Sequence, residues 1–357
     1  MRSQLKMFRL CVVLLLLCAA GMLDSCGRHE KGKRDSFRMD AEGTTQVTRV
    51  VPMPTTISPE AQQYLTGLAH QKYGPQTLAE RRTMTDQWRV RDSAEAEKLF
   101  PVHVEEKTIG GVRTDVITPG ELRDKKSECV LINLHGGGFN SDSGSLIEGV
   151  PIAYLAKIPV VSVYYRLAPE NPFPAAIDDV VAVYKELLKE HKPQNIGMFG
   201  TSAGGILTAE VAVKLKQLGL PLPAAMGLFS ILADFSQPGD SQNLFALNGL
   251  AGDLSPTYTN KPQPNEYTLN TDPKDPVLSP IFADLHGMPP SLLVTSTRDL
   301  LLSNTTLFHR ALLRAGNDSR LVVFEALPHA FWYHFQLPET RETLELMAKF
   351  FDEKVGR

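Results

Sequence analysis

The chain has 357 residues, of which 43% are hydrophobic, and this suffices for one large α/β domain with an accessory segment. Its 37 basic and 40 acidic residues leave a net charge of −3 with mixed signs, which argues against a nucleic-acid-binding surface. HExxH and paired CxxC patterns are missing, so we predict neither a zinc site nor a cofactor. Residues 27–33 match the start of a phosphate-binding P-loop by chance, because Arg34 stands where Ser or Thr is required.

The first 25 residues have the layout of a signal peptide. The apolar stretch 10–23 follows three basic residues, Arg2, Lys6 and Arg9, and is too short to span a bilayer. The stretch ends at residues 23–27 in a sequence that resembles the bacterial lipoprotein signal, in which the cysteine, here Cys26, becomes lipid-modified. We therefore expect export and membrane attachment through Cys26, with ordinary cleavage near Ala20 and secretion as the alternative.

Residues 27–54 are polar and charged without an apolar period, which predicts a disordered tether. Ser58 followed by Pro59 is typical of a helix start, and that helix is predicted to reach about Lys72. A second helical stretch covers residues 78–100. Residues 55–100 are thus expected to form N-terminal cap helices.

Residues 101–357 have the pattern of an α/β domain. Strands 102–109 and 112–118 flank Gly110-Gly111, a two-residue hairpin signal. Strands and helices then alternate, which predicts a mostly parallel sheet covered by helices on both faces. The predicted strands are 129–134, 158–165, 224–230, 291–297 and 320–325, and the predicted helices include 175–190 and one that ends at about Leu218. Residues 234–280 are rich in Pro, Asn and Gly and are interpreted as a lid or cap insertion, with a surface excursion as the alternative.

Two glycine-containing motifs indicate acyl-transfer chemistry. In Gly200-Thr-Ser202-Ala-Gly204, a serine lies between glycines where an apolar run gives way to helical periodicity, the pattern of a nucleophile elbow. In residues 135–138, His-Gly-Gly-Gly follows a strand. Backbone N–H groups of Gly137, Gly138 and Ala203 can stabilise a tetrahedral oxyanion, and His135 is expected to hold the glycine loop in shape.

The acid and the base follow the serine in chain order, each after a strand. Asp299 directly follows strand 291–297, and His329 follows strand 320–325. Weaker rivals for the acid are Asp275 and Asp284, which do not directly follow an apolar strand. The rival base is His334, which stands in an aromatic run where a packed neutral histidine is expected.

These residues resemble the hormone-sensitive-lipase-like branch of the α/β-hydrolase family over residues 100–355. A third block, residues 165–176, adds to the resemblance. By this resemblance Ser202 is the nucleophile, His329 the general base and Asp299 its orienter, while an Arg166–Glu170 pair braces the glycine loop. Two departures are Tyr164 and Thr201, which stand where many members have aspartate.

The resemblance implies a serine carboxylic ester hydrolase that acts on short to medium acyl esters through an acyl-enzyme. Amidase, formamidase or peptidase activity on the same triad is the alternative. A non-catalytic ligand-binding receptor on this fold is less favoured, because such proteins tend to lose a triad member and all three are present. The sequence leaves the acyl group, the alcohol and the oligomeric state open.

Overall fold

The computed structural model describes residues 35–71, 74, 76–122, 128–254 and 265–356, which fall into two units divided at residue 53. Within the first unit, β1 (Ser36–Met39) and β2 (Thr45–Thr48) form an exposed antiparallel hairpin. Its turn is closed by Asp40, whose carboxylate accepts hydrogen bonds from the backbone of Glu42 and Thr44. Residues 27–54 were predicted to be disordered, whereas residues 36–48 form this hairpin. A local turn motif stabilises its two short strands, although their side chains are exposed. The predicted signal peptide and Cys26 lie outside the described residues.

The second unit is built on an eight-stranded sheet in the order β10-β9-β8-β7-β5-β6-β4-β3. β3 (Val102–Ile109) and β4 (Val112–Pro119) form the antiparallel edge, and β4 pairs antiparallel with β6 (Val160–Val163). The remaining pairs are parallel. The other strands are β5 (Val130–Leu134), β7 (Ile196–Thr201), β8 (Ala225–Phe229), β9 (Ser291–Ser296) and β10 (Ser319–Phe324).

The predicted hairpin between β3 and β4 is confirmed. Gly110 and Gly111 both adopt left-handed φ angles, 60° and 82°, as a two-residue turn between twisted strands requires. The mostly parallel sheet is also confirmed, since the six strands beyond the β3–β4 edge are parallel to one another. Every residue of β5 and β7 is buried, as expected for parallel strands that are covered on both faces of the sheet.

Helices cover both faces of the sheet and enclose one apolar cluster on each side. One cluster includes residues of α4 (Ala175–Leu187), α5 (Ala203–Gln217) and α7 (Leu302–Arg314). The other includes residues of α3 (Ser145–Ala156) and α8 (Pro338–Lys354), together with Ala61 and Ala96 from two N-terminal helices. Among the described helices, none is both long and apolar enough to cross a membrane.

The two N-terminal helices are α1 (Pro59–Leu68) and α2 (Leu78–Leu99). Ser58 caps α1 as predicted, because its side chain accepts a hydrogen bond from Ala61 N. Thr77 and Glu80 form a capping box at the start of α2. Within the predicted insertion 234–280, the described part contains a short helix, α6 (Asp240–Leu244), and ends at a single 3₁₀ turn (Pro280–Phe282).

Candidate active site

Ser202 lies on a strained turn between β7 and α5. Its backbone adopts φ 58° and ψ −120°, which is an unfavourable conformation for a residue with a side chain. A Cβ at Gly200 would overlap the carbonyl oxygen of Leu134, and a Cβ at Gly204 would overlap the same atom. The glycines on either side of the serine are therefore required by close backbone approach, as the elbow pattern predicts.

Asp299 and His329 lie at the ends of adjacent strands, β9 and β10, and form a hydrogen-bonded pair. Nδ1 of His329 lies 2.9 Å from Oδ1 of Asp299, and both side chains are almost fully buried. The second carboxylate oxygen, Oδ2, accepts hydrogen bonds from the hydroxyls of Ser230 and Thr295. Backbone N–H of Leu301 donates to Oδ1 at 2.9 Å.

These contacts determine the charge of Asp299. Burial raises the pKa of this carboxyl, but the charge of His329 and the hydrogen bonds from His329, Ser230 and Leu301 outweigh it, so the pKa is lowered overall. Asp299 is therefore an ionised acceptor that can fix the orientation of the imidazole and stabilise its protonated form.

The rival residues have other partners. Asp275 accepts hydrogen bonds from the backbone of Val277 and Leu278, which is a turn-capping role. Asp284 is exposed and pairs with Lys216 at 2.8 Å. Burial lowers the pKa of His334 to about 4, so this histidine is neutral at ordinary pH, as expected from its aromatic surroundings.

A cavity of about 650 Å³ connects the candidate residues. Ser202, His329, Gly137 and Gly138 all line it. The opposite wall comes from the N-terminal helices and from the insertion; it includes Tyr64, Met84, Trp88, Leu247 and Asn248. Its size suits a small ligand, and its lining combines apolar walls with a few convergent polar groups.

The glycine loop between β5 and α3, which carries the predicted oxyanion-hole donors, has an unusual backbone conformation. Gly137, Gly138 and the following Phe139 adopt left-handed φ angles of 109°, 62° and 64°. A Cβ at Gly137 would overlap the carbonyl oxygen of Ser141, so only glycine fits there. Ala203 is buried at the first position of α5, where backbone N–H groups at a helix N-terminus favour negative charge.

His135 supports this loop from behind, as the sequence suggests. Its ring is buried and stacks on Tyr165 with centroids 4.2 Å apart. Nδ1 lies 2.7 Å from the carbonyl oxygen of Gly136, and the Tyr165 hydroxyl donates to the carbonyl oxygen of His135 at 2.6 Å. On its other side the loop contacts the insertion, because the ring of Phe139 stacks on that of Tyr267.

Thr201, one of the two departures from the family pattern, belongs to a buried network behind the nucleophile. Its hydroxyl donates to Glu148 Oε1 and accepts a hydrogen bond from Trp332 Nε1 at 3.1 Å. The other oxygen of Glu148 accepts from Asn133 Nδ2 at 2.9 Å. Burial raises the pKa of Glu148 to about 7, although the two hydrogen bonds partly offset the effect. Thr201 thus links the strand that carries Ser202 to the chain just beyond His329.

The predicted Arg166–Glu170 pair was wrong. Arg166 pairs with Asp179 at 2.8 Å, and Glu170 accepts two hydrogen bonds from Arg82 of helix α2. The error arises because Arg82 is 88 residues away along the chain, whereas Arg166 is only four residues away. Sequence reasoning also missed Glu148, for which a signal existed: it is the single charged residue in the apolar run Ser145–Ala156.

Comparison with known proteins gives consistent results. Residues 131–333 match a family model described as the alpha/beta hydrolase fold. An acetyl-hydrolase from Streptomyces hygroscopicus is 31% identical over 256 residues, which are 70% of this chain and 82% of that protein.

Solved structures agree with that result. The crystal structure of an esterase named E25 superimposes with a TM-score of 0.74 and 32% identity, covering 86% of this chain and 98% of that one. An esterase from the bacterial hormone-sensitive lipase family superimposes with a TM-score of 0.68 and 27% identity, covering 83% and 98%.

Proposed function

The chain belongs to the α/β-hydrolase family and is a carboxylesterase-type serine hydrolase, and from this premise we propose that Ser202, His329 and Asp299 form its catalytic triad. The observation that carries the assignment is the 2.9 Å hydrogen bond between Asp299 and His329, at the cavity that Ser202 also lines. The runner-up, amide hydrolysis on the same triad, has no specific contact in its favour.

The geometry supports the following sequence of steps. Ser202 Oγ attacks the ester carbonyl while His329 Nε2 takes its proton, and the same nitrogen then returns the proton to the leaving alcohol. In the second half-reaction, His329 Nε2 takes a proton from water while the water oxygen attacks the acyl carbonyl. The bond between the acyl group and Ser202 Oγ then breaks, the proton passes to Oγ, and the acid is released. Throughout, Nδ1–H of His329 donates to Asp299, whose lowered pKa keeps it an acceptor.

Charge on the tetrahedral intermediate is stabilised by the backbone of Gly137, Gly138 and Ala203. Donors that are already oriented toward the developing oxyanion stabilise it by about 3 to 4 kcal/mol each, because no reorganisation is needed during the reaction. The left-handed φ angles of Gly137 and Gly138, already present without substrate, support this proposal.

We further propose that the substrates are short to medium acyl esters, with acetyl esters included. The similar Streptomyces protein is an acetyl-hydrolase, and the cavity that Ser202 lines is also lined by α1, α2 and residues 247–248. We propose that these segments limit the length of the acyl chain. Rates with p-nitrophenyl esters of increasing chain length, measured beside matched anilides, test both the chain-length limit and the preference for esters over amides.

The decisive variant for the triad is Ser202→Ala. We expect p-nitrophenyl acetate hydrolysis to fall by roughly a millionfold, as expected when a triad nucleophile is removed. The melting temperature should be nearly unchanged. An organophosphonate should label wild type at Ser202 and leave the variant unlabelled; labelling at another residue, or activity above a few per cent, contradicts the assignment.

Export and lipid attachment at Cys26 are proposed from the sequence of residues 1–27. A single acyl chain binds membranes only marginally, so stable attachment needs the several chains of a bacterial lipoprotein. Cys26→Ser should move the enzyme from the membrane to the soluble fraction with its specific activity intact. A mature N-terminus near Gly21 with unmodified Cys26, found by mass spectrometry, would mean secretion without an anchor.

A further inference from the structure

The glycine loop is held in a conformation that its own sequence does not favour. Phe139 has a φ angle of 64°, which is costly for a bulky residue and persists only when surrounding contacts enforce it. Its backbone oxygen accepts a hydrogen bond from Ala168 N at 2.8 Å. This hydrogen bond joins the glycine loop to the segment that contains Ala168.

Arg82 of helix α2 makes contacts with both. Its Nε donates to the carbonyl oxygen of Asn140, one residue beyond Phe139, at 2.7 Å. One terminal nitrogen donates to the carbonyl oxygen of Ala168 at 2.8 Å. Both terminal nitrogens also donate to the carboxylate of Glu170 at 2.7 Å. A single guanidinium therefore joins the glycine loop to residues 168–170.

The chemistry of these contacts requires arginine. The planar guanidinium presents five donors in a fixed fork, which suits a bidentate carboxylate and two carbonyl oxygens at once, whereas a lysine ammonium cannot span them. Glu170 remains ionised across the assay range, because its hydrogen bonds with Arg82 lower its pKa to about 2.

Arg82 is also part of the cap. Its helix neighbours Arg81, Met84 and Thr85 line the cavity, while Arg82 is not among the described residues that do so. Its side chain instead contacts the glycine loop and residues 168–170.

We propose that Arg82 is a positioning residue that couples docking of cap helix α2 to the geometry of the oxyanion hole. By holding Asn140 and Ala168, it keeps the N–H groups of Gly137 and Gly138 directed at the cavity. The cap then does more than cover the substrate, since its presence sets the stabilisation of the tetrahedral intermediate. This inference rests on the proposed roles of Gly137 and Gly138.

The test is Arg82→Gln, with Arg341→Gln as the matched control, because Arg341 pairs with Glu345 on the exposed face of α8. For p-nitrophenyl acetate we expect kcat to fall by about 10- to 100-fold, the effect of a displacement on the order of 1 Å, while KM changes by less than about threefold. Affinity for a trifluoromethyl ketone, which adds to the serine and forms an oxyanion, should fall by a similar factor. The control should match wild type in each measurement.

A second readout does not depend on turnover. Deuterium exchange of the peptide that covers residues 134–144 should be faster in Arg82→Gln than in wild type and unchanged in the control. Glu170→Gln leaves Arg82 in place with a weaker partner and should show the same changes to a smaller extent. This variant replaces Arg82→Gln in the test if Arg82→Gln does not fold.

A raised KM with unchanged kcat and ketone affinity would overturn the proposal, since the cap would then only cover the substrate. Unchanged exchange in the loop would overturn it equally. Wild-type protein that neither hydrolyses the ester nor binds the ketone would contradict the proposed function, and the exchange measurement would still decide whether Arg82 holds the loop.

Discussion

Two buried carboxylates near the nucleophile have pKa values that are shifted in opposite directions. Asp299 is paired with His329, and its pKa is lowered; Glu148 is equally buried, and its pKa is raised to about 7. Burial raises the pKa in both cases. The difference is an opposite charge: Asp299 faces an imidazole that can become protonated, whereas the described residues that donate hydrogen bonds to Glu148 are the neutral Thr201 and Asn133.

The comparison separates the proposed catalytic carboxylate from a structural one. Asp299 has to be ionised to orient and stabilise the imidazolium, so its surroundings favour charge. Glu148 connects β5, β7 and α3 through hydrogen bonds and touches neither Ser202 nor His329 in its described contacts. Removing the charge should therefore affect turnover at the first position and the pH dependence of stability at the second.

Of the two carboxylates, Asp299 should show the larger effect when it is replaced, as Asp299→Asn. An amide in place of the carboxylate cannot stabilise the protonated imidazole and favours the wrong tautomer, so kcat should fall by about 10³- to 10⁴-fold. His329→Ala should be at least as severe. Steady-state kinetics with p-nitrophenyl acetate measures both, and activity within tenfold of wild type in Asp299→Asn would place the orienting carboxylate elsewhere.

Glu148→Gln should act on stability. Below pH 4.5 the carboxyl is neutral in the folded and the unfolded states; as pH rises from 4.5 toward 7, the unfolded chain ionises while the folded protein retains the proton. Wild type should therefore lose stability over this range, by on the order of 3 kcal/mol, and Glu148→Gln should not show this loss.

Urea unfolding of both proteins at pH 5 and pH 8 measures the difference. Glu345→Gln, which removes an exposed carboxylate, controls for the change in net charge. Parallel loss of stability in wild type and Glu148→Gln would show that Glu148 is not the group responsible.

Thr201→Val keeps the shape of the side chain and removes its hydroxyl. Trp332 Nε1 and Glu148 each lose a partner in a buried site, so the free energy of unfolding should fall by about 1 to 3 kcal/mol. Thr201→Ser retains the hydroxyl and should recover most of the loss. Urea unfolding at constant pH gives the values; equal stability of the Val and Ser variants would mean that the hydroxyl contributes little.

The smallest effect is expected for His334→Ala. The pKa of about 4 keeps this imidazole neutral, and its ring packs against Tyr64 with centroids 4.4 Å apart. Turnover should stay within a few fold of wild type, with a change in KM because the residue lines the cavity. Loss of activity comparable to that of His329→Ala would exchange the roles of the two histidines.

Local sequence patterns predicted most of the fold, because apolar residues recur periodically in the strands and helices of the second unit and helix starts have recognisable capping residues. The Gly110-Gly111 turn and the Ser58 cap were readable for this reason. Helix α3 was not predicted, since its nearly continuous apolar sequence has no amphipathic period and Pro151 lies within it. The hairpin at residues 36–48 was missed because its strands bury no apolar face.

The candidate site likewise combines residues that the sequence predicted with contacts that it did not. Chain order after successive strands was sufficient to select Asp299 and His329, which the structure brings within hydrogen-bonding distance. Contacts between distant segments could not be predicted: the partner of Glu170 is Arg82 on α2, and the partner of Arg166 is Asp179 on α4. Such pairs depend on how helices pack, which no local spacing specifies.

The close approach of Gly200 and Gly204 to Leu134 limits how this enzyme can be redesigned. Both overlaps are with a backbone oxygen, and no rotamer change or smaller neighbour can relieve them. A compensating mutation would have to shift the end of β5, which also begins the glycine loop. Libraries that aim to change acyl selectivity should therefore leave these positions fixed and randomise cavity residues of the cap, such as Met84, Trp88 and Leu247, where side chains rather than backbone set the available space.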